Sequence, residues 1–383
     1  MPSSGPAAAP ESVARATKAH GDPVLTRRAL NRTLLQRQLL LERVDRPPLD
    51  VVRHLVGLQA QEPGDPYVGL WSRIADFDPT SLSDAIESRA AVRIGLMRTT
   101  LHLVTVDDAL GLAPVMDGVH RRTFRSTPMY KLLAGTDLAA ITGEAREAVE
   151  AAPMTPTDLG RHLATLWPDR EPPSLALVAR YHLPLVQVPP RGLWQRTGRA
   201  TNTTLQVWTG RTPVAYGVDD IIRRYLRAFG PATVGDMRTW SWLTGLRGVV
   251  DGMGAELRTY RDEHGRELLD LVDMDIADEA MPVPIRFLPQ YDNFFLSHED
   301  RSRLNGDMAW GLDFAWKGVI LVDGWISATW RHRRAEKGQP ATITIELGPS
   351  VTPQQRDEVV AEGERLAAFL AAGRPPQVIV AAS

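Results

Sequence analysis

No cysteine occurs in the 383-residue chain, which excludes disulfides, thiolate metal sites and a cysteine nucleophile and suits a reducing cytoplasm. Lysine is scarce too: of 44 basic residues only Lys18, Lys131, Lys317 and Lys337 are lysines. A GC-rich codon usage accounts for that ratio. No apolar run approaches the ~20 residues that a membrane helix requires. Phosphate loops ending in Gly-Lys-Ser/Thr, G-x-S-x-G and H-E-x-x-H are missing, "DGMGAEL" lacks the third glycine of a dinucleotide fingerprint, and the nine histidines form no i, i+4 pair. Nucleotide hydrolysis, serine hydrolysis and zinc catalysis therefore have no sequence support.

What is present is an ordinary soluble composition, 43% hydrophobic and 23% charged, in a chain long enough for two or three cores. The net charge of −2 excludes a uniformly basic coat, but charge is unevenly placed. Residues 180–227 hold eight arginines against Asp219 and Asp220, whereas 256–280 hold nine acids against three arginines. Arginine suits bidentate phosphate contact, so the first segment reads as an anion-seeking face.

The first 22 residues, rich in Ala, Pro and Ser, read as a disordered tail without a secretory core. Beyond them the order helix, helix, helix, strand, strand recurs, which is the order of a winged helix. The first copy (23–135) comprises "TRRALNRTLLQRQLLLER", "PPLDVVRHLVGLQ", "DPTSLSDAIESRA" with Thr80 or Ser81 as N-cap, and the strands "AVRIGLMRT" and "LHLVTV". The second (136–215) has "TGEAREAVEAA", "TPTDLGRHLATLW" and "PPSLALVARYHL", then a hairpin of "LVQVPPRGLWQRT" and "TTLQVWTG". The third (216–279) runs from "VDDIIRRYLRAFG" to the strands "ELRTYRD" and "RELLDLVDM". Threonines open the short helices "TPTDLGRHL" and "ATVGDMRTW" as caps. Residues 280–383 form a β-rich region closed by "TPQQRDEVVAEGERLAAFLAA". The expected fold is α+β, with three tandem winged-helix units and a mostly β C-terminal region around a concave DNA-binding face.

In "VGLQAQEPGDPYVGLWSRI" an apolar helix is expected to end on Gln59 and Gln61, with a Pro/Gly/Asp run holding the chain open before Tyr67 and Trp71. Two amides alone are a weak signal, because most such pairs are solvated helix ends. Their context is more specific. "GLQAQEPGDPYVGLWSR" and "MRTTLHLV", followed by "FLPQYDNFFLSHEDRSRL" and "GVILVDGWISATW", resemble in kind and order the AlkZ-like bacterial winged-helix DNA glycosylases. The resemblance covers roughly 25–380.

It implies a glycosylase that excises N7-alkylated purines from double-stranded DNA without metal or cofactor; separately, the sequence has no long heptad or other dimerisation helix, which points to a monomer. Gln59-Ala60-Gln61 matches the family's glutamine-aliphatic-glutamine form, which goes with self-resistance to bulky alkylating natural products. The chemistry is consistent with amides: N7 alkylation makes the base cationic, so it leaves without a general acid. What remains is to orient water at C1′ and stabilise an oxocarbenium-like transition state. Gln61 is assigned the water and Gln59 the support of Gln61 and the sugar, or the reverse. Tyr67, Trp71, Arg98, His102, Asp292 and Asn293 are candidates for the lesion pocket; core packing (Trp71), a buried strand position (His102) and a capped turn with an ion pair (Asp292, Asn293) are their structural alternatives. Arg196 and Arg199, braced by Trp194 and Trp208, are read as a groove-probing hairpin, and Arg180, Arg191, Arg331 and Arg333 as phosphate contacts. Competing readings are a non-catalytic winged-helix regulator and a carboxylate-pair hydrolase using Asp292, Asp300 or Asp323.

Overall fold

The computed structural model describes residues 22–305, 317–335, 339–371, 373 and 376–381. The expected tail therefore lies outside the described residues, apart from Asp22. The first copy contains β1 (Val24–Leu25), α1 (Arg27–Arg37), α2 (Pro48–His54), β2 (Leu58–Gln59), α3 (Asp65–Trp71), α4 (Pro79–Glu87), β3 (Ala91–Gly95), β4 (Leu101–Thr105), α5 (Val106–Ser126) and α6 (Pro128–Leu132). The second contains α7 (Leu138–Ala151), α8 (Pro156–Leu166), α9 (Pro172–His182), β5 (Leu185–Gln187), β6 (Asn202–Thr204) and α10 (Leu205–Thr209). The third contains α11 (Val218–Phe229), α12 (Val234–Ser241), α13 (Leu246–Met253), β7 (Leu257–Asp262) and β8 (Glu267–Leu271). The remainder comprises β9 (Arg286–Leu288), α14 (Asn293–Leu296), α15 (Ser302–Asn305), β10 (Gly318–Val322), β11 (Trp325–Arg333), β12 (Thr342–Leu347), α16 (Pro353–Leu370) and β13 (Gln377–Val380). The α+β class holds.

Several local expectations need correction. Gln59 and Gln61 do not end a helix: α2 stops at His54, and Gln59 is the second residue of β2. The reversal turns on Gly57 at φ 95°, where a Cβ would meet Val104 Cγ1 at 2.5 Å; only glycine fits so close an approach. The Pro/Gly/Asp run is not open chain throughout, since Asp65 begins α3 with Pro66 in its first turn, where the missing N–H is harmless. Asp78, rather than Thr80 or Ser81, caps α4 by accepting from the Thr80 N–H. The caps at Thr155 and Thr233 are as expected, the latter a reciprocal pair with Asp236. The strand expected in "TTLQVWTG" ends at Thr204, whose hydroxyl caps α10 instead. Trp208 therefore lies on a helix, beneath the Arg89 guanidinium at 4.3 Å.

The strands of the first two copies are not two separate wings. They join in one antiparallel sheet, β2-β4-β3-β5-β6, through the Arg93–Gln187 and Ile94–Val186 pairs. A second sheet, β1-β7-β8, adds the N-terminal strand to the third copy, and a third, β13-β12-β11-β10-β9, forms the C-terminal region under α16. One apolar core runs from Val92, Ile94 and Leu96 through Met116 on α5 to Tyr225, Phe229 and Trp240 of the third copy and Phe294 beyond it.

The C-terminal region is tied to the first copy by charge as well. Arg73 donates to both oxygens of Asp292 at 2.8 and 2.7 Å, with both side chains essentially inaccessible. Removing one partner from such a pair leaves a buried uncompensated charge, at a cost of about 3–5 kcal/mol.

Candidate functional site: two glutamines on one strand face

In a strand, residues two apart point to the same side. Leu58 and Ala60 accordingly both pack in the core with Leu103 and Leu193, while β2 ends at Gln59 and Gln61 follows in a bend. The backbone of the motif is held at each step. Gln59 pairs with His102 across β2 and β4, and the Ala60 N–H donates to the Leu101 carbonyl at 2.7 Å. The Arg93 guanidinium donates to the Ala60 carbonyl at 2.8 Å. Upstream, the Asn293 side-chain amide donates to the carbonyls of Leu55 and Gly57 at 3.2 and 2.7 Å, which fixes the turn into β2.

The two amides have different surroundings. Gln59 is 6% exposed, and its Oε1 accepts from Arg98 at 2.9 Å. Arg98 also donates to the Trp240 carbonyl at 2.5 Å, and it sits at φ 55° in the turn between β3 and β4. Burial pushes its pKa down to about 10, which leaves it charged at neutral pH. Gln61 is exposed; its Oε1 accepts a longer bond of 3.2 Å from the Leu101 N–H. Gln61 lies at the edge of a cavity of about 520 Å³ between the β3–β4 turn and the helices of the second copy, lined by Met154, Leu159, Leu177, Leu183, His120 and Arg180 among others.

His102 is 1% exposed, with Nδ1 against the Thr100 carbonyl at 3.0 Å. Burial, then the charge of Arg98, pushes its pKa down to about 3. It is neutral at physiological pH and braces the strand. His120, which carries no motif in the sequence, does face the cavity, with Nε2 2.9 Å from the Leu96 carbonyl; burial lowers its pKa as well.

Other expected pocket residues lie elsewhere. Tyr67 is 1% exposed, donates to the Gly192 carbonyl at 2.9 Å and packs on Trp194. Trp71 stacks on Phe369 beneath the Arg43 guanidinium. Asp292 belongs to the Arg73 pair and caps α14, so neither it nor Asn293 borders the Gln61 cavity. None of the four lines the Gln61 cavity, and Tyr67 borders a second hollow instead.

On the far side of Gln61 a second hollow of about 560 Å³ is walled by Glu62, Asp65, Trp194, Arg196, Arg331 and Arg334. Burial, reinforced by the negative charges of Glu62 and Asp292, raises Asp65 to about 8. Its Oδ2 is buried without a hydrogen-bond partner among the described residues.

The arginine-rich segment is less free than its composition suggests. Arg199, Arg211, Arg223, Arg224 and Arg227 are ion-paired with Asp158, Asp107, Glu256, Asp108 and Asp273 respectively. Arg199 is thus bound to α8 rather than displayed at a hairpin tip. Arg180, Arg191 and Arg196 meet no carboxylate within 4.0 Å among the described residues, and Arg180 stands at the mouth of the Gln61 cavity. Arg331 and Arg333 project from the end of β11, where Arg333 donates to Gln339 Oε1 at 2.5 Å.

The chain that carries this site is matched by the family model "DNA glycosylase AlkZ-like" over residues 52–369. The chain belongs to this family of DNA glycosylases and is a DNA repair enzyme of that class, acting on DNA. Among solved structures it is similar to the Streptomyces sahachiroi DNA glycosylase AlkZ, with a TM-score of 0.70 and 21% identity over 94% of this chain and 100% of that one. A search of curated proteins returns no match. No helix among the described residues is long and apolar enough to cross a membrane.

Proposed function

We propose that this enzyme hydrolyses the N-glycosidic bond of N7-alkylated purines in duplex DNA, with bulky natural-product adducts as the substrates its cavity suits, and that it serves self-resistance. The observation that carries this reading is the apolar cavity of about 520 Å³ beside Gln61, which offers a large hydrophobic adduct a place to sit. Gln61 orients the water at C1′, because its amide is exposed and only lightly held. Gln59 positions, because its carbonyl is already engaged by Arg98. A neutral amide cannot protonate a leaving base, so only a base that already carries positive charge departs, and undamaged DNA is spared.

Single cleavage, without a lyase step, is supported by lysine placement. Lys131 and Lys317 are the lysines among the described residues, and neither lines the cavity. The carboxylate alternative loses support because Asp292, Asp300 and Asp323 are each engaged by arginines: Arg73, Arg266 and Arg32. In the same reading the three copies act as monomeric tandem winged helices, bounded at 135/136, 215/216 and 279/280, around a concave DNA face. Arg180, Arg191, Arg196, Arg331 and Arg333 are its phosphate contacts.

The test is single-turnover release of base from duplexes carrying an N7-methylpurine or a bulky intercalated N7-guanine adduct, using wild type, Gln59→Ala and Gln61→Ala. Release of the bulky adduct by wild type and its loss in Gln61→Ala are expected. Equal rates in all three proteins would remove the glutamines from the mechanism, and intact DNA with both lesions would remove the substrate class.

A further inference from the structure

Helix α5 separates two hollows. On one side His120 faces the Gln61 cavity; on the other, Val119, Arg122 and Thr123 border a depression of about 370 Å³ completed by Arg238, Thr239 and Trp242. Trp242 is 44% exposed, directly after α12, and its backbone is left-handed at φ 61°. Glycine or asparagine adopts that conformation more readily than a bulky aromatic, and the indole here fills no core. Arg122 and Arg238 are exposed and meet no carboxylate within 4.0 Å among the described residues. Arg122 donates to the Trp242 carbonyl at 3.2 Å, which sets a guanidinium close to the indole. An exposed aromatic face flanked by unneutralised arginines and threonine hydroxyls is complementary to stacked bases and phosphates.

The same helix end touches the catalytic strand. The Trp240 carbonyl, two residues before Trp242, accepts from Arg98, whose other nitrogen holds Gln59. A ligand that occupies both hollows has to cross α5, as a polymer does. We infer that duplex DNA lies across α5, with Trp242 seated as an apolar wedge or stacking face beside the lesion and with Arg122 and Arg238 on phosphates. Docking there is relayed to Gln59 through Arg98. This rests on the reading that the damaged nucleotide is presented to Gln61.

The experiment measures affinity for an undamaged and an N7-methylpurine duplex by fluorescence anisotropy across a salt series. Trp242→Ala is expected to weaken binding about tenfold, and Trp242→Asn, which suits the left-handed backbone, to do the same with an unchanged melting temperature. Arg238→Gln, whose guanidinium makes no hydrogen bond among the described residues, lowers the slope of log affinity against log salt by about one. Affinities and slopes equal to wild type in folded Trp242→Asn and Arg238→Gln would overturn the inference. If wild type releases no base yet these variants lose affinity, the surface stands and the proposed reaction falls; if wild type releases base and the variants bind normally, the reverse holds.

Discussion

The two hollows that flank the Gln61–Glu62 segment differ in chemistry although they share a wall. The one beside Gln61 is lined mainly by apolar side chains, with a neutral amide, a histidine whose charge is disfavoured, and Arg161 and Arg180. The one beside Asp65 is crowded with ionisable groups of both signs. A mainly apolar chamber suits the proposed step in which charge migrates from base to sugar, since fixed dipoles act strongly in a low-dielectric site. A hollow walled by ionisable groups suits the grip on a phosphodiester backbone. On the proposed function, the contrast separates reaction from attachment.

The largest expected effect falls on the mainly apolar side. Gln61→Ala should slow single-turnover excision by about 10²–10³ while duplex affinity changes little; a mutant that binds poorly but cleaves at the normal rate would invert the assignment. Next, Arg196→Gln combined with Arg331→Gln should flatten the salt dependence of duplex binding by about two in slope, one for each phosphate no longer neutralised. If the defect appears in the excision rate at saturating enzyme instead, the charged hollow is part of the reaction chamber.

Histidine titration gives a third measure. The folded pKa values of His102 and His298 lie near 3, below the ordinary 6.5, because both are buried. The unfolded chain therefore binds the proton first. Stability is complete above about pH 6.5 and is lost as pH falls toward 3, by about 1.4 kcal/mol per pH unit for each histidine. Denaturant melts between pH 7 and pH 4 check it; a stability independent of pH across that range would show that neither histidine is held neutral. Asp65 has the opposite sign. Its folded value, about 8, lies above the unfolded 3.8, so its contribution weakens as pH rises between them. Asp65→Asn should stabilise the protein at pH 8 by at least about 1 kcal/mol, with no gain at pH 4.

Much of the fold is legible in the sequence where the signal is local. Helical periodicity marks α7, α8, α9, α11 and α16, and threonine caps mark the starts of α8 and α12. Family resemblance singles out Gln59 and Gln61. The strand pairing of Leu58 and Gln59 is hidden, because it depends on Gly57 packing against Val104 and on Asn293, more than 200 residues away in the chain, holding the turn. Helix α5 escapes a reading by periodicity because Pro114 lies inside it, although Thr105 followed by Asp107 and Asp108 is a fair start signal. Arg93 and His120 belong to no motif, since each acts on the site through the packing of separate elements. Composition misleads once: five of the eight clustered arginines are ion-paired to carboxylates, and proximity in sequence says nothing of such pairing.

The fusion of β2-β4-β3 with β5-β6 into one sheet has a mechanical consequence. Ladder hydrogen bonds join the strand that bears the glutamines to the unit that roofs the cavity, so the chamber cannot gape like a hinged jaw without breaking them. Its width is settled when the protein folds. On the proposed function, the range of adducts admitted is then a matter of which side chains of the second copy line the cavity, and exchanging Met154 or Leu177 for smaller or larger residues is the direct way to retune it.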